Sequence, residues 1–539
     1  MRIYYLADPK RRVQLNAAGI DDTSAYLLPI LNFLGMTGHS ITPEQLESVT
    51  EQDVLLAVRT QLPPLPCTVI SFAASQDPAV AAEKKLYGSL LAENKKLAIF
   101  TPICPEETGG EVLAYAELAD GTVVPACTRS GKRYDYAFDL PASVWYSGDG
   151  FPNEQSKQLF SIGIGRVPEL RPLPIPYDTT VAYNDELCWQ LRSILLAAGA
   201  PALHTLPPLE DGTVPDLALL FSGDDDATSA NYNLTAAMNM EALEFPYHIN
   251  AMPVDDTRFI MDKAVYEELK THGCETALHT NLTEKPYTAQ TQAQQIALFT
   301  RIFGEPPKTN VNHCFVQDGT TAERLSWLEA CQVYGDNGHY GEVAQDPKDI
   351  NAFNVAGFAF GSSFPHFTCA DAAHENRMIG TISIPINYYE PRLDTDRYNN
   401  EAQLLWYLSE GAANGRISQF FLHPHYLNPT YDGIGATFAA LKRIKSFVAT
   451  QNYAVWYTTT NNITDFWHAR GNSTWEETAP NCWKLQATCP LTILLPDGTT
   501  SVTCDGTPLA VVHRVIAGKA MNLAAILAAG EHTLVFTEI

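Results

Sequence analysis

Leu217 to Phe221 form an apolar run that ends, after Ser222 and Gly223, on three consecutive aspartates, Asp224, Asp225 and Asp226. Adjacent carboxylates at a strand end diverge, so one can bind a divalent cation while its neighbour stays free as a general base. An acidic turn or a helix N-cap is the structural alternative, because aspartate favours both. Three histidines occupy comparable places. His279 closes the run CETALH, His423 closes ISQFFLH, and His313 follows TNVN. A single histidine is more often structural than catalytic. Three of them at or near strand ends, together with the aspartates, weigh against that reading. Imidazole and carboxylate donors with one position open suit zinc or a similar divalent ion.

Other chemistries lack their signatures. The sequence contains no GxSxG elbow, P-loop, HExxH or CxxC pair, and the GIG at Gly163–Gly165 lacks the rest of a dinucleotide fingerprint.

The elements that must position these residues follow from periodicity. Residues 2–7, 53–58, 67–73 and 96–103 read as buried parallel strands, and Thr42, Pro43 and Gln45 as a capped helix start. Strand and helix alternation predicts an N-terminal open α/β sheet over 1–203, flavodoxin-like in type, closed by a helix on which Leu187, Leu191, Ile194 and Leu195 share a face. A Pro-, Gly- and acid-rich stretch, 204–216, acts as a linker. A second α/β series over 204–470 places Asp or His at strand ends followed by helices, which predicts a β/α barrel with its site on the C-terminal rim. Residues 471–539 read as antiparallel β, with a hairpin turn at Asp497-Gly498, and predict a small β-sandwich.

The order of these segments resembles the polysaccharide deacetylase family, carbohydrate esterases that include chitooligosaccharide and peptidoglycan deacetylases. That family opens its barrel with a strand and [ST]-F-D-D; this chain has Phe221-Ser222-Gly223-Asp224-Asp225. The family's second motif, G-H-E-x-x-x-H-[ST], is matched by Gly273-Cys274-Glu275 and His279-Thr280, and its last, an apolar strand ending Leu-His, by Leu422-His423. The resemblance covers roughly 216–470 and implies a distorted barrel of deacetylase type. Thr283 stands where the family has a second metal histidine, and TNVNHC replaces its Arg and proline motif, so His313 is expected to restore the third ligand. The first region looks like a class I glutamine amidotransferase domain, as in a subset of the family. Cys67 and Cys104 lack the glycines of that nucleophile's turn, so it is read as non-catalytic.

The resemblance implies a metal-dependent deacetylase acting on an acetylated amino sugar or its oligomer. Asp224 is expected as base and His423 as acid. Asp225, His279 and His313 are expected to hold a divalent metal, zinc by preference, while Asp226, Asn281 and His425 contact substrate. Aligning DDATS with the family's D-D-G-P-S instead moves base and ligand to Asp225 and Asp226. Tyr426 or Trp467 could stack on sugar, though Trp467 reads more readily as core. A sugar-binding scaffold, or a hydrolase of another amide or ester on the same barrel, stays open.

Composition sets the partners. With 35 basic and 61 acidic residues the net charge is -26, which argues against nucleic acid or an anionic membrane. No run approaches the length of a membrane span. Eleven scattered cysteines read as reduced thiols of a cytoplasm-like compartment, although a removed leader would leave no trace. The oligomeric state is not legible.

Overall fold

The computed structural model describes residues 1–58, 62–73, 85–92, 95–105, 110–149, 178, 180–283, 285–313, 321–340, 356–358, 360–393, 400–428 and 434–538. The GIG at Gly163–Gly165 lies outside them.

The protein is mixed α/β, with a nearly closed, barrel-like parallel sheet at its centre. Among the described residues, the first sheet has nine strands. Gly38–Ile41, Ile3–Leu6, Val54–Val58, Thr68–Phe72 and Arg133–Tyr136 run parallel. An antiparallel meander, Val123–Ser130, Glu111–Leu118, Gly88–Ala92 and Lys95–Ile99, completes it. The strand expected to be parallel near Lys96 is therefore an antiparallel edge strand. Its first two residues are exposed while Leu97, Ala98 and Ile99 are buried, so an apolar run alone did not reveal its direction. The start at Thr42 carries the expected capping box with Gln45, but the turn it opens is a short 3-10 helix, Pro43–Ser48.

The central sheet has eight strands. Leu217–Asp224, Tyr247–Ala251, Cys274–Thr280, Thr309–Asn312, Gly335–Tyr340 and Ile382–Ile386 pair in sequence order, all parallel. Ile417–Phe421 and Val455–Thr458 both pair with Leu217–Asp224. A single bridge from Tyr389 to Phe421 links the two sides of the seam, which is the distortion. Helices such as Ala230–Ala242, Lys263–Thr271, Ala289–Phe303 and Glu401–Asn414 lie between successive strands, as crossover connections between parallel strands require.

Residues 474–538 form antiparallel sheets of four and five strands. Ala202–Leu203 joins the four-stranded one through Leu491–Leu494. The turn at Asp497-Gly498 makes no hairpin. Leu491–Leu494 pairs with Lys519–Ile526 in one sheet and Thr499–Cys504 with Gly530–Glu538 in the other, so the turn carries the chain between sheets. One buried cluster includes Ile70, Trp189, Leu220, Trp467 and Leu523 and so ties the first sheet, the barrel-like sheet and the C-terminal antiparallel sheets together. Trp467 is fully buried there and cannot stack on a ligand. No described helix is long and apolar enough to cross a membrane, and ten described cysteines are free thiols.

Candidate functional site

Side chains alternate across a strand, and this period separates the three aspartates. Leu217, Leu219 and Phe221 face the helical layer, packing with Met240 and Leu408. Ser222 points the other way, into the barrel, where it bonds Gln419 of the adjacent strand and Asn337 of a distant one. Asp224 has the parity of Ser222 and enters the interior, while Asp225 has that of Phe221. Gly223 permits the close approach of the strand that carries His423: a Cβ there would lie 1.6 Å from the Leu422 carbonyl oxygen.

Asp225 is fully buried and directed away from the histidines. Its carboxylate accepts from the N–H groups of Ala227 at 3.0 Å and Met252 at 2.8 Å and from Asn233 Nδ2 at 3.1 Å. These bonds pin the loop to the following helix and strand. Asp225, expected as a metal ligand, thus has its carboxylate occupied by these three donors, on the side to which the strand's alternation directs it. The chain then turns back through left-handed backbone at Asp226 and Ala227, φ 46° and 50°. Such conformations cost energy for non-glycine residues and concentrate at functional sites. The turn places the Asp226 carboxylate over the rim, 3.3 Å from His279 Nε2 and 3.3 Å from His423 Nε2.

His279 is fully buried at the end of its strand. Its Nδ1 lies 3.3 Å from Asp224 Oδ2 and 3.3 Å from the Val311 carbonyl oxygen. A proton on Nδ1 serves both acceptors and leaves Nε2 aimed at the rim, the orientation that supporting carboxylates impose on metal-binding histidines. His313 stands with its ring perpendicular to that of His279, centroids 5.4 Å apart. Its Nδ1 is 3.2 Å from Thr283 Oγ1. Asp226, His279 and His313 each offer a ligand atom within 4.8 Å of the others; so do Asp224, Asp226 and His423.

The charges respond to one another. Burial lifts the Asp224 carboxyl to about 6 against the pull of His279 and His423. Burial also opposes ionisation of Asp226, yet hydrogen bonds from His279 and His423 hold it far below the usual carboxylate range. Burial disfavours a charged His279, but Asp224 and then Asp226 overcome this and raise its pKa. His423 is likewise raised, well above the ordinary value, against burial and chiefly by Glu390 and Asp226. His313 goes the other way: burial, then His279, lower its pKa, which favours the neutral form in which imidazole ligates a metal.

Glu390 escaped the sequence reading. It accepts from both the backbone N–H and the Nδ1–H of His423, and its own φ is 48°. Its signal was an acid ending the run ISIPINYYE, in the barrel's order of apolar run followed by polar terminus. Asn250, which donates to Asp224 Oδ1 at 3.0 Å, is the last polar residue of the strand YHINA, one place before its end at Ala251.

Two expected substrate contacts lie differently. Asn281 commits its amide to the loop, donating to the Pro253 carbonyl oxygen and accepting from the Thr283 N–H. His425 stays at the rim, its ring 5.2 Å from that of His423 and 4.4 Å from that of Tyr426. Burial and the neighbouring His423 lower its pKa to about 4.

No family model and no curated protein matches the sequence. Among solved structures, the chain is similar to a Parabacteroides distasonis protein provisionally described as a glycoside hydrolase/deacetylase. The identity is 10% and the TM-score 0.33, over 52% of this chain and 82% of that one. It is also similar to a Bordetella bronchiseptica protein provisionally described as a polysaccharide deacetylase involved in O-antigen biosynthesis, at 11% identity and a TM-score of 0.25, over 48% of this chain and 92% of that one.

Proposed function

We propose that the barrel rim is the active site of a metal-dependent hydrolase that removes acetyl groups from an amino sugar or its oligomer. One observation carries this reading: Asp224, Asp226, His279 and His423 meet at the same end of three parallel strands with paired, oppositely poised charges. Asp226, His279 and His313 would hold the ion, and their donor set of one carboxylate and two imidazoles fits zinc. When bound, such an ion supplies Lewis acidity toward a carbonyl oxygen and eases deprotonation of water.

The remaining steps belong to the chain. Asp224, with its carboxyl lifted to about 6, has the basicity to accept a proton from the attacking water near neutral pH. Asn250 and His279 fix its two oxygens. His423 enters the reaction charged, held so by Glu390, and gives its proton to the departing amine nitrogen. Proton transfer of this kind contributes about 10²- to 10⁴-fold. The Tyr426 ring beside His425 offers a face on which a sugar can stack.

The test is acetate release from a panel of N- and O-acetylated sugars, with metal content measured in parallel. Release that stops on chelation and returns with zinc is expected. A wild-type protein that holds metal yet frees no acetate from any sugar would overturn the substrate class. One that holds no metal would overturn the site.

A further inference from the structure

A second group of ligand-bearing side chains lies in the C-terminal sandwich. Cys504 ends the strand Thr499–Cys504, and Asp505 and Gly506 turn the chain into Thr507–Pro508 with φ 51° and 81°. His532 lies on Gly530–Glu538, where Leu534 pairs with Cys504. His532 is two residues from Leu534, so it shares the face of Cys504 as its diagonal neighbour, within side-chain reach.

The three residues are held with their donors converging. Asp505 exchanges backbone bonds with Thr533, its N–H donating to the Thr533 carbonyl oxygen and its Oδ1 accepting from the Thr533 N–H, both at 2.8 Å. That leaves Oδ2 directed at the other two. His532 Nε2 lies 3.0 Å from the Ala528 carbonyl oxygen. A carbonyl can only accept, so Nε2 carries a proton and Nδ1 is the atom turned toward the group. Supporting carbonyls orient metal-binding histidines in this way.

The separations are 3.6 Å for Sγ–Oδ2, 3.6 Å for Sγ–Nδ1 and 3.0 Å for Nδ1–Oδ2. A tetrahedral zinc with ordinary bond lengths gives edges of about 3.6, 3.5 and 3.4 Å for the same donors. Two edges agree, and the third needs a few tenths of an ångström of side-chain motion.

We propose that Cys504, Asp505 and His532 form a second, independent site for a divalent cation of zinc type. Sulfur and imidazole donors select a borderline-soft ion over magnesium or calcium. Asp505 is half exposed, whereas the His532 side chain is mostly covered, so the ion enters from solvent and keeps an open position. It ties the turn at Asp505 to the strand Gly530–Glu538 and takes no part in the chemistry at the barrel rim.

Cobalt(II) distinguishes the two sites, because a thiolate ligand adds a near-ultraviolet charge-transfer band that carboxylate and imidazole do not. The full-length His279→Ala variant, with the rim group broken, is titrated with cobalt and then with zinc. One equivalent with the thiolate band is expected, displaced by zinc. The band should vanish in Cys504→Ser and weaken at least tenfold in His532→Gln, while either substitution made with the rim intact leaves the metal-dependent acetate release unchanged. Zinc should raise the melting temperature of His279→Ala but not of the Cys504→Ser, His279→Ala double variant. If wild type shows no thiolate band, the group is an imidazolium–carboxylate pair beside a thiol and the proposal falls. A band that survives Cys504→Ser would place the ion on another cysteine and overturn the proposal equally.

Discussion

The strand Ile417–Phe421 has an ionisable residue just beyond each end, and the protein treats the two differently. Arg416, at the lower end, is 1% exposed and pairs with the fully buried Asp185 of the helix Tyr183–Ala197. That carboxylate also accepts from Ser362 Oγ at 2.6 Å and from the Ser363 N–H and Oγ at 3.2 Å each. The guanidinium lies over the rings of Trp189 and Phe358, 4.8 and 5.1 Å from their centroids. His423, at the upper end, meets Glu390 and Asp226. Both ends bury charge. At the lower end a permanently charged guanidinium closes the pair, whereas at the upper end the positive charge rests on imidazoles, which can release a proton or accept a metal. Burial of charge therefore does not mark the site; the kind of cation beside the carboxylate does.

Paired substitutions should separate the two ends, and the largest effects come first. His279→Ala removes a proposed ligand from the rim. Acetate release is expected to fall by about 10³-fold or more, since a term of several kcal/mol is lost from the transition state, far more than any accompanying loss of stability accounts for in the folded fraction. Arg416→Met strands the Asp185 carboxylate in the interior and should cost about 3–5 kcal/mol of stability. Turnover per metal in the folded fraction should stay at the wild-type value. Denaturant unfolding and acetate assays on both variants check this crossing pattern. Loss of turnover in folded Arg416→Met would erase the distinction between the ends.

A finer contrast lies between neighbours. Asp225→Asn gives up charge-assisted bonds to Ala227, Met252 and Asn233, at about 1.5–3 kcal/mol for a hydrogen bond to a charged group, and should retain metal. Asp226→Asn should lose metal with the smaller shift in melting temperature of the metal-free protein. Metal content and thermal melts of the two variants decide the register. The reverse outcome would make Asp225 the ligand and Asp226 a loop residue.

The sequence made the strand ends legible where apolar runs stop on Asp or His, as at Asp224, His279 and His423. It concealed the strand Gly335–Tyr340, whose sequence GDNGHY has no apolar period, and left TNVN at Thr309–Asn312 marked only by the histidine that follows it. These face a polar interior in which Asn310 bonds Asn312 and Asp336, and Asp336 pairs with the buried Arg324. Hydrogen bonding there takes the place of apolar packing, so hydrophobicity carries no signal. The register of Asp224 to Asp226 was hidden for another reason. Strand alternation was readable, but where the strand gives way to left-handed backbone was not, and that point decides which carboxylate returns to the rim. Glu390 was missed because its strand was not identified.

The smallest expected effect concerns Thr283, which stands where the resembled family has a metal histidine. Its hydroxyl meets His313 Nδ1 at 3.2 Å, so the residue can hold the ring of the substitute ligand without ligating. An imidazole whose Nδ1 is bonded presents Nε2, and losing such a support commonly costs about 10- to 100-fold in metal affinity. Thr283→Ala is expected near the lower bound, because the partly exposed ring retains the packing against His279 that also orients it. Thr283→Ser should restore most of the affinity, and turnover at saturating metal should hardly change. His313→Ala should weaken binding further than Thr283→Ala. If Thr283→Ala empties the site as fully as His279→Ala, the hydroxyl is itself a ligand and His313 the support. If zinc affinity does not move, His313 is oriented by packing alone, and the strand after TNVN suffices to place the third ligand.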